Sequence, residues 1–187
     1  LQNDLVASQV AYYGRAGWVH VLAFIRQFVP AAELMLGLYY VMLFVLLGGM
    51  YFLGLTVSRG DDRAAVLGLA LLMFYPHTYM LGQSALIGPH FYESWFSAGV
   101  LLYAVALALR GRLVWAFVVS GVASNLHFLQ GAQLAGLLTV FGAWNTVMSG
   151  AARRSALLRL LGGMLAYAVT ASPDQVAGFM TFSWLAT

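Results

Sequence analysis

Two stretches that interrupt long apolar runs hold most of the residues suited to chemistry. One is SNLHFLQGAQL, Ser124 to Leu134, which supplies Asn125, His127, Gln130 and Gln133 and no Arg, Asp or Glu. The other, YPHTYMLGQSALIGPHFYESWF, supplies His77, Gln83, His90 and Glu93 among Gly82, Gly88 and Pro89. An imidazole can take or give a proton near neutral pH, and a carboxylate can serve as general acid or base beside it. Amides would orient a polar substrate. His77, His90, His127 and a carboxylate are also chemically able to hold a divalent ion, although no compact ligand spacing is present. A histidine of this set, or His20, could instead ligate a haem or chlorophyll.

Each of these residues also has a plainer reading. Asn125 and Gln133 would satisfy the free backbone groups of a tight helical hairpin, and His127 would make a structural hydrogen bond. Tyr75, Phe91, Tyr92, Trp95 and Phe96 would form an interfacial aromatic belt, while Glu93 and Glu33 would sit at helix starts, where the macrodipole favours a carboxylate. Asp4, in LQND, would simply be solvated, and Arg15 and Arg26 would anchor in headgroups. In the sharper reading these two arginines hold a lipid phosphate.

Several chemistries lack support. There is no Walker loop, GxGxxG, GxSxG or HExxH, so nucleotide hydrolysis, dinucleotide chemistry and zincin proteolysis find no motif. With no cysteine, neither a disulfide nor a thiol nucleophile is available.

The elements that must position these groups are apolar. Over 187 residues the chain is 62% hydrophobic and 8% charged, with runs such as LMLGLYYVMLFVLLGGMYFLGLTV. This composition predicts an all-α, polytopic transmembrane helical bundle in place of a soluble domain or a membrane barrel. About six spans are expected: Glu33 to Arg59, Arg63 to about Gln83, Glu93 to Arg110, Arg112 to about Leu129, Gly131 to about Met148, and about Ala156 to Ala171. Pro76 should kink or end the second, and Pro173 stops the sixth. The fourth and fifth must be joined by a very tight turn. Ahead of them, Gly17 to Pro30 is too short to cross and reads as an outer interfacial helix. The chain is thus expected to be one membrane domain, 1–187, with an extracytoplasmic segment at 1–31 and transmembrane helices over 32–187. It is also expected to be part of a longer protein.

All nine basic residues are arginine, and seven fall in alternate breaks: Arg59 and Arg63, Arg110 and Arg112, then Arg153, Arg154 and Arg159. By the positive-inside rule those breaks are cytoplasmic. All four histidines and four of the six acids then map to the outer half. A bacterial inner membrane is the expected location, and nucleic acid is not an expected partner.

In layout the chain resembles the GT-C class of membrane glycosyltransferases. LQND matches an outer loop with an Asp near its start, Trp18 to Val29 an interfacial helix, and Glu33 onward the next span. RGR, Arg110 to Arg112, matches a small basic loop, and SNLHFLQG a His-containing turn. The resemblance implies a polyprenyl-phosphate sugar donor used on the extracytoplasmic face. It also implies Asp4 as the base that deprotonates the acceptor hydroxyl, and Arg15 or Arg26 on the donor phosphate. His90, Glu93 or His127 would position substrate or supply acid, with Asn125, Gln130 and Gln133 binding substrate. A divalent Mg or Mn ion is a possible cofactor under this reading. The alternative is a non-catalytic subunit that scaffolds other membrane subunits or holds lipid or pigment.

Overall fold

The computed structural model describes residues 22–74 and 93–171; for residues 72–74, 93 and 94 it is the backbone alone that is described. Among the described residues every regular element is helical: α1 Ala31–Val57, α2 Asp62–Phe74, α3 Glu93–Leu109, α4 Leu113–Leu126, α5 Phe128–Met148 and α6 Arg153–Thr170, with a 3-10 turn at Gly150–Ala152 before α6. The all-α expectation therefore holds for these residues. Among the described residues one helix, α1, is long and apolar enough to cross a membrane on its own; the apolar stretches Trp95–Leu109 and Leu113–Leu126 are shorter. At 1.5 Å per residue, α3 rises about 26 Å and α4 about 21 Å, against roughly 30 Å of hydrocarbon in a bilayer.

Contacts along the helices fix their directions. Gly99 packs on Leu46, Tyr103 tilts over Phe52 with ring centroids 5.6 Å apart, and Arg110 Nε donates to Thr56 Oγ1 at 2.9 Å, so α1 and α3 run parallel. Helix α2 turns back along α1, with Ala65 against Gly54 and Tyr51 donating to Asp62. Ser97 Oγ reaches Ala123 O at 3.4 Å across the antiparallel α3–α4 pair. Ser124 meets Gly131 and Leu113 meets Gly142, which makes α4 and α5 an antiparallel hairpin. Phe117 packs on Gly163 and Gly121 on Thr170, so α6 runs parallel to α4.

These directions send Arg59, Arg63, Arg110, Arg112, Arg153 and Arg154 to one end of the bundle, with Arg159 a little further along α6. The starts of α1 and α3 and the α4–α5 junction lie at the other end. Between them is a core of Ala108, Leu113, Ala116, Phe117, Ala135, Leu138 and Leu160. Much of it is alanine, and glycines bring backbones into contact: a β-carbon on Gly49 would stand 2.6 Å from Gly99 O. Small residues at helix crossings are how helices associate where burial from water drives little.

Several expected boundaries differ, among them the end of α4, at Leu126 instead of about Leu129. Residues 22–25 are helical but 26–28 form a turn, so the helix expected to reach Val29 stops at Ile25. Pro30 disfavours helical backbone in the residue before it. Helix α5 begins at Phe128 instead of Gly131, because Gln130 and Gly131 fit a first helical turn as well as a loop. Helix α6 begins at Arg153, taking in two arginines that a hydrophobicity boundary at Ala156 leaves outside. Helical backbone extends past the apolar run when the first turn is exposed.

Candidate functional site

The α4–α5 junction is the centre of the polar end. His127 is the single residue between the two helices. Its backbone is extended, with φ −146° and ψ 96°, and it serves as C-cap of α4 and N-cap of α5. The main chain is satisfied across the break, since His127 N–H bonds Ala123 O at 2.9 Å and Gly131 N–H bonds His127 O at 3.2 Å. Such a sharp reversal is possible because α5 presents Gly131 to Ser124. A β-carbon there would lie 2.7 Å from both Ser124 Cα and its backbone nitrogen.

Hydroxyls and an amide tie this junction to its neighbours. Ser120 Oγ donates to Gly131 O at 2.8 Å, across the hairpin. Ser124 Oγ donates to Ser120 O at 3.1 Å and lies 3.0 Å from Tyr167 OH on α6. Asn125 Nδ2 donates to Gly121 O at 3.1 Å and to Thr170 O at 2.8 Å. Thr170 Oγ1 in turn donates to Ala166 O at 2.8 Å. Ser124 and Asn125 thus act as helix-to-helix fastenings, and the carbonyl of Thr170 at the end of α6 gains a donor that the helix cannot supply.

Two buried atoms stand apart from this network. His127 Nδ1 and Gln130 Oε1 are shielded from solvent and have no hydrogen-bond partner among the described residues. A buried acceptor left without a donor costs roughly 1–3 kcal/mol. The two residues are three apart at the start of α5, within the same helical turn. A ligand that satisfies Gln130 Oε1 must donate a proton; one that meets a neutral His127 Nδ1 can donate or accept, according to tautomer. Hydroxyl groups do both.

Helix register shows that α1 continues past this junction. Ser97 with Ala123 brings Glu93 level with His127, and the α1–α3 contacts bring Glu93 level with Tyr40. Helix α1 starts nine residues earlier at Ala31, so it extends about 13 Å past the junction.

The remaining expected site residues divide clearly. Gln133 is exposed on α5, one turn beyond the junction, and Arg26 is exposed in the turn ahead of α1. Glu93 opens α3 at the same end. Asp4, Arg15, His20, His77, Gln83 and His90 lie outside the described residues, as does most of the expected interfacial segment. Among the described residues no three His, Asp or Glu side chains group as metal ligands.

Two partners of the site went unread in the sequence, Tyr167 and Thr170. Their spacing in YAVT, three apart on one face of α6, was the available signal. No protein family matches this chain, and neither a curated protein nor a solved structure is significantly similar to it.

Proposed function

We propose that this chain is a multi-span membrane domain, with its arginine end in the cytoplasm and its α4–α5 junction near the opposite face, that takes part in sugar transfer from a polyprenyl-phosphate carrier. The observation that carries the site assignment is the pair of buried atoms, His127 Nδ1 and Gln130 Oε1, that have no hydrogen-bond partner among the described residues. Polar atoms at that depth are expensive unless a ligand or water meets them. Depth follows from helix length: with Arg112 at the inner boundary, the 14 residues of α4 carry the chain about 21 Å, leaving His127 roughly 9 Å inside the outer boundary. A lipid-linked sugar enters from that layer, and its hydroxyls are the donors that Gln130 Oε1 requires. The reaction class comes from the layout resemblance to GT-C transferases. In that reading Asp4 is the base, Arg15 or Arg26 receives the donor phosphate, and His90, Glu93 or His127 positions substrate or supplies acid.

The multi-span reading draws on the apolar surface as well as on the arginines. Phe44, Leu137, Val140, Trp144, Leu165 and Val169 are all exposed, on three different helices. In water such surface would associate; facing acyl chains it has no such cost.

A non-catalytic membrane subunit is the second reading, favoured by the use of Ser124 and Asn125 as helix fastenings. Mass spectrometry of lipids that co-purify with the protein in mild detergent separates the two. A polyprenyl phosphate or its sugar conjugate, lost in the Gln130→Leu and His127→Ala variants, supports the transferase. Ordinary phospholipid alone, unchanged in both variants, supports the scaffold.

A further inference from the structure

Two helices at the arginine end are stopped by the same device built from different residues. After α3, Gly111 takes a positive φ of 74°; its N–H bonds Ala108 O at 2.9 Å and the Arg112 N–H bonds Leu107 O at 2.9 Å. This is the doubly bonded stop for which glycine is the usual residue. After α1 the equivalent position is Arg59, at φ 56°, with its N–H toward Thr56 O at 3.4 Å and the Gly60 N–H on Leu55 O at 2.7 Å. A β-carbon is disfavoured in that conformation. What arginine adds over glycine there is a cation.

The cations at this end outnumber the acids, seven arginines against Asp61 and Asp62. Among the described residues none of the seven arginines is ion-paired, and the two nearby acids are engaged elsewhere. Asp61 caps α2 by accepting from the N–H groups of Arg63 at 2.9 Å and Ala64 at 3.3 Å, and Asp62 accepts from Tyr51 at 3.0 Å. Arg110 lies 4.1 Å from the Phe52 ring centroid and bonds Thr56, neither of which cancels its charge. Arg159 folds back one turn to Ser155 Oγ at 2.9 Å, toward the arginine end.

Apolar surface is interleaved with this charge. The contact of Gly142 with both Leu113 and Leu160 sets Arg112 level with Arg159, and α6 then carries Arg153 about 9 Å further out. Trp115 and Trp144 are exposed near that level, at 61% and 64%, and Met148 and Leu158 are exposed beyond it. Along α2 a shallow groove of about 440 Å³ runs from Asp62 and Arg63 past Val66 and Leu67 to Ala70. A soluble polyanion would match the arginines and leave the indoles and the groove wet. A phospholipid matches both, with phosphate on guanidinium and acyl chain on the apolar wall.

We propose that this end of the bundle is a binding surface for anionic phospholipids, whose headgroups lie on Arg59, Arg63, Arg110, Arg112, Arg153 and Arg154 in preference to zwitterionic headgroups. The proposal rests on the membrane reading. The test places the full chain in nanodiscs of phosphatidylcholine containing phosphatidylglycerol and measures, by native mass spectrometry, the enrichment of phosphatidylglycerol among retained lipids. Enrichment over the bulk composition is expected for the natural sequence. It should fall about fivefold for each arginine removed in a variant combining Arg112→Gln, Arg153→Gln and Arg154→Gln, and return when the same positions are lysine. Arg59→Gly gives a fold-safe check, since it relieves the backbone: phosphatidylglycerol enrichment should drop about fivefold while the melting temperature rises. No enrichment in the natural sequence, an unchanged triple Gln variant, or displacement of the lipid by inorganic polyphosphate would overturn the proposal. Thiol labelling of Ala32→Cys and Ala151→Cys separates its failure from that of the membrane reading. Labelling from opposite sides without enrichment sinks the lipid surface alone, whereas labelling of both from one side sinks the membrane arrangement itself.

Discussion

The two ends of the bundle solve the problem of ending helices in opposite ways. At the arginine end, turns such as 58–61 and 110–112 use positive-φ residues and leave the charged side chains without carboxylate partners. At the polar end, α4 and α5 are separated by one residue, charge is absent from the junction, and Ser120, Ser124 and Asn125 are spent on carbonyls and a phenol. Charges tolerate a missing partner when water or headgroups solvate them; neutral polar groups away from water must be bonded within the protein. On the proposed membrane reading, the contrast reports different surroundings. Among the described residues His127 Nδ1 and Gln130 Oε1 break the rule at the polar end, and for that reason they mark the candidate site.

The contrast is most easily broken at Gly131. Gly131→Val forces a side chain into the Ser124 backbone and should destabilise the fold by about 3 kcal/mol, read from thermal unfolding in detergent. Gly136, with nothing within 4 Å, is the control: Gly136→Ala should be neutral or stabilising by up to about 1 kcal/mol. Next in size is Asn125→Leu, which removes the bonds to Gly121 O and Thr170 O and should cost about 1–2 kcal/mol. Arg112→Gln at the opposite end should change stability by less than about 0.5 kcal/mol. Arg59→Gly should stabilise by about 1 kcal/mol, because glycine accepts the positive φ. Gln130→Leu sharpens the argument most finely. Removing an unpartnered buried oxygen should raise stability by about 1 kcal/mol while lowering retention of any lipid-linked sugar. A stability loss with retention unchanged would make Gln130 a structural residue.

Some of this was legible in the sequence. Helix α1 was evident from 25 residues without a charge between Glu33 and Arg59, and the arginines at 59, 63, 110, 112, 153 and 154 mark helix ends that do gather at one end of the bundle. Such signals are local, arising from composition and spacing within one segment. The junction was legible as a tight turn but not as a one-residue break, because Gln130 and Gly131 suit a loop or a helical turn equally. The partners of Ser124 and Asn125 were not legible at all. Tyr167 and Thr170 lie 43 and 45 residues further on, and which face of α6 meets α4 is decided by packing, through Phe117 on Gly163 and Thr170 on Gly121. The unpartnered state of Gln130 Oε1 is likewise a property of the assembled junction, invisible in a list of polar residues.

The central claim is that the two ends face opposite sides of a membrane, and the absence of cysteine makes it directly testable. Single cysteines at Ala32 and Ala151, both exposed and at opposite ends, would be treated in intact cells with a membrane-impermeant maleimide. The account predicts that Ala32→Cys is labelled from outside and that Ala151→Cys reacts only after the membrane is opened. Equal labelling of both in intact cells would contradict it.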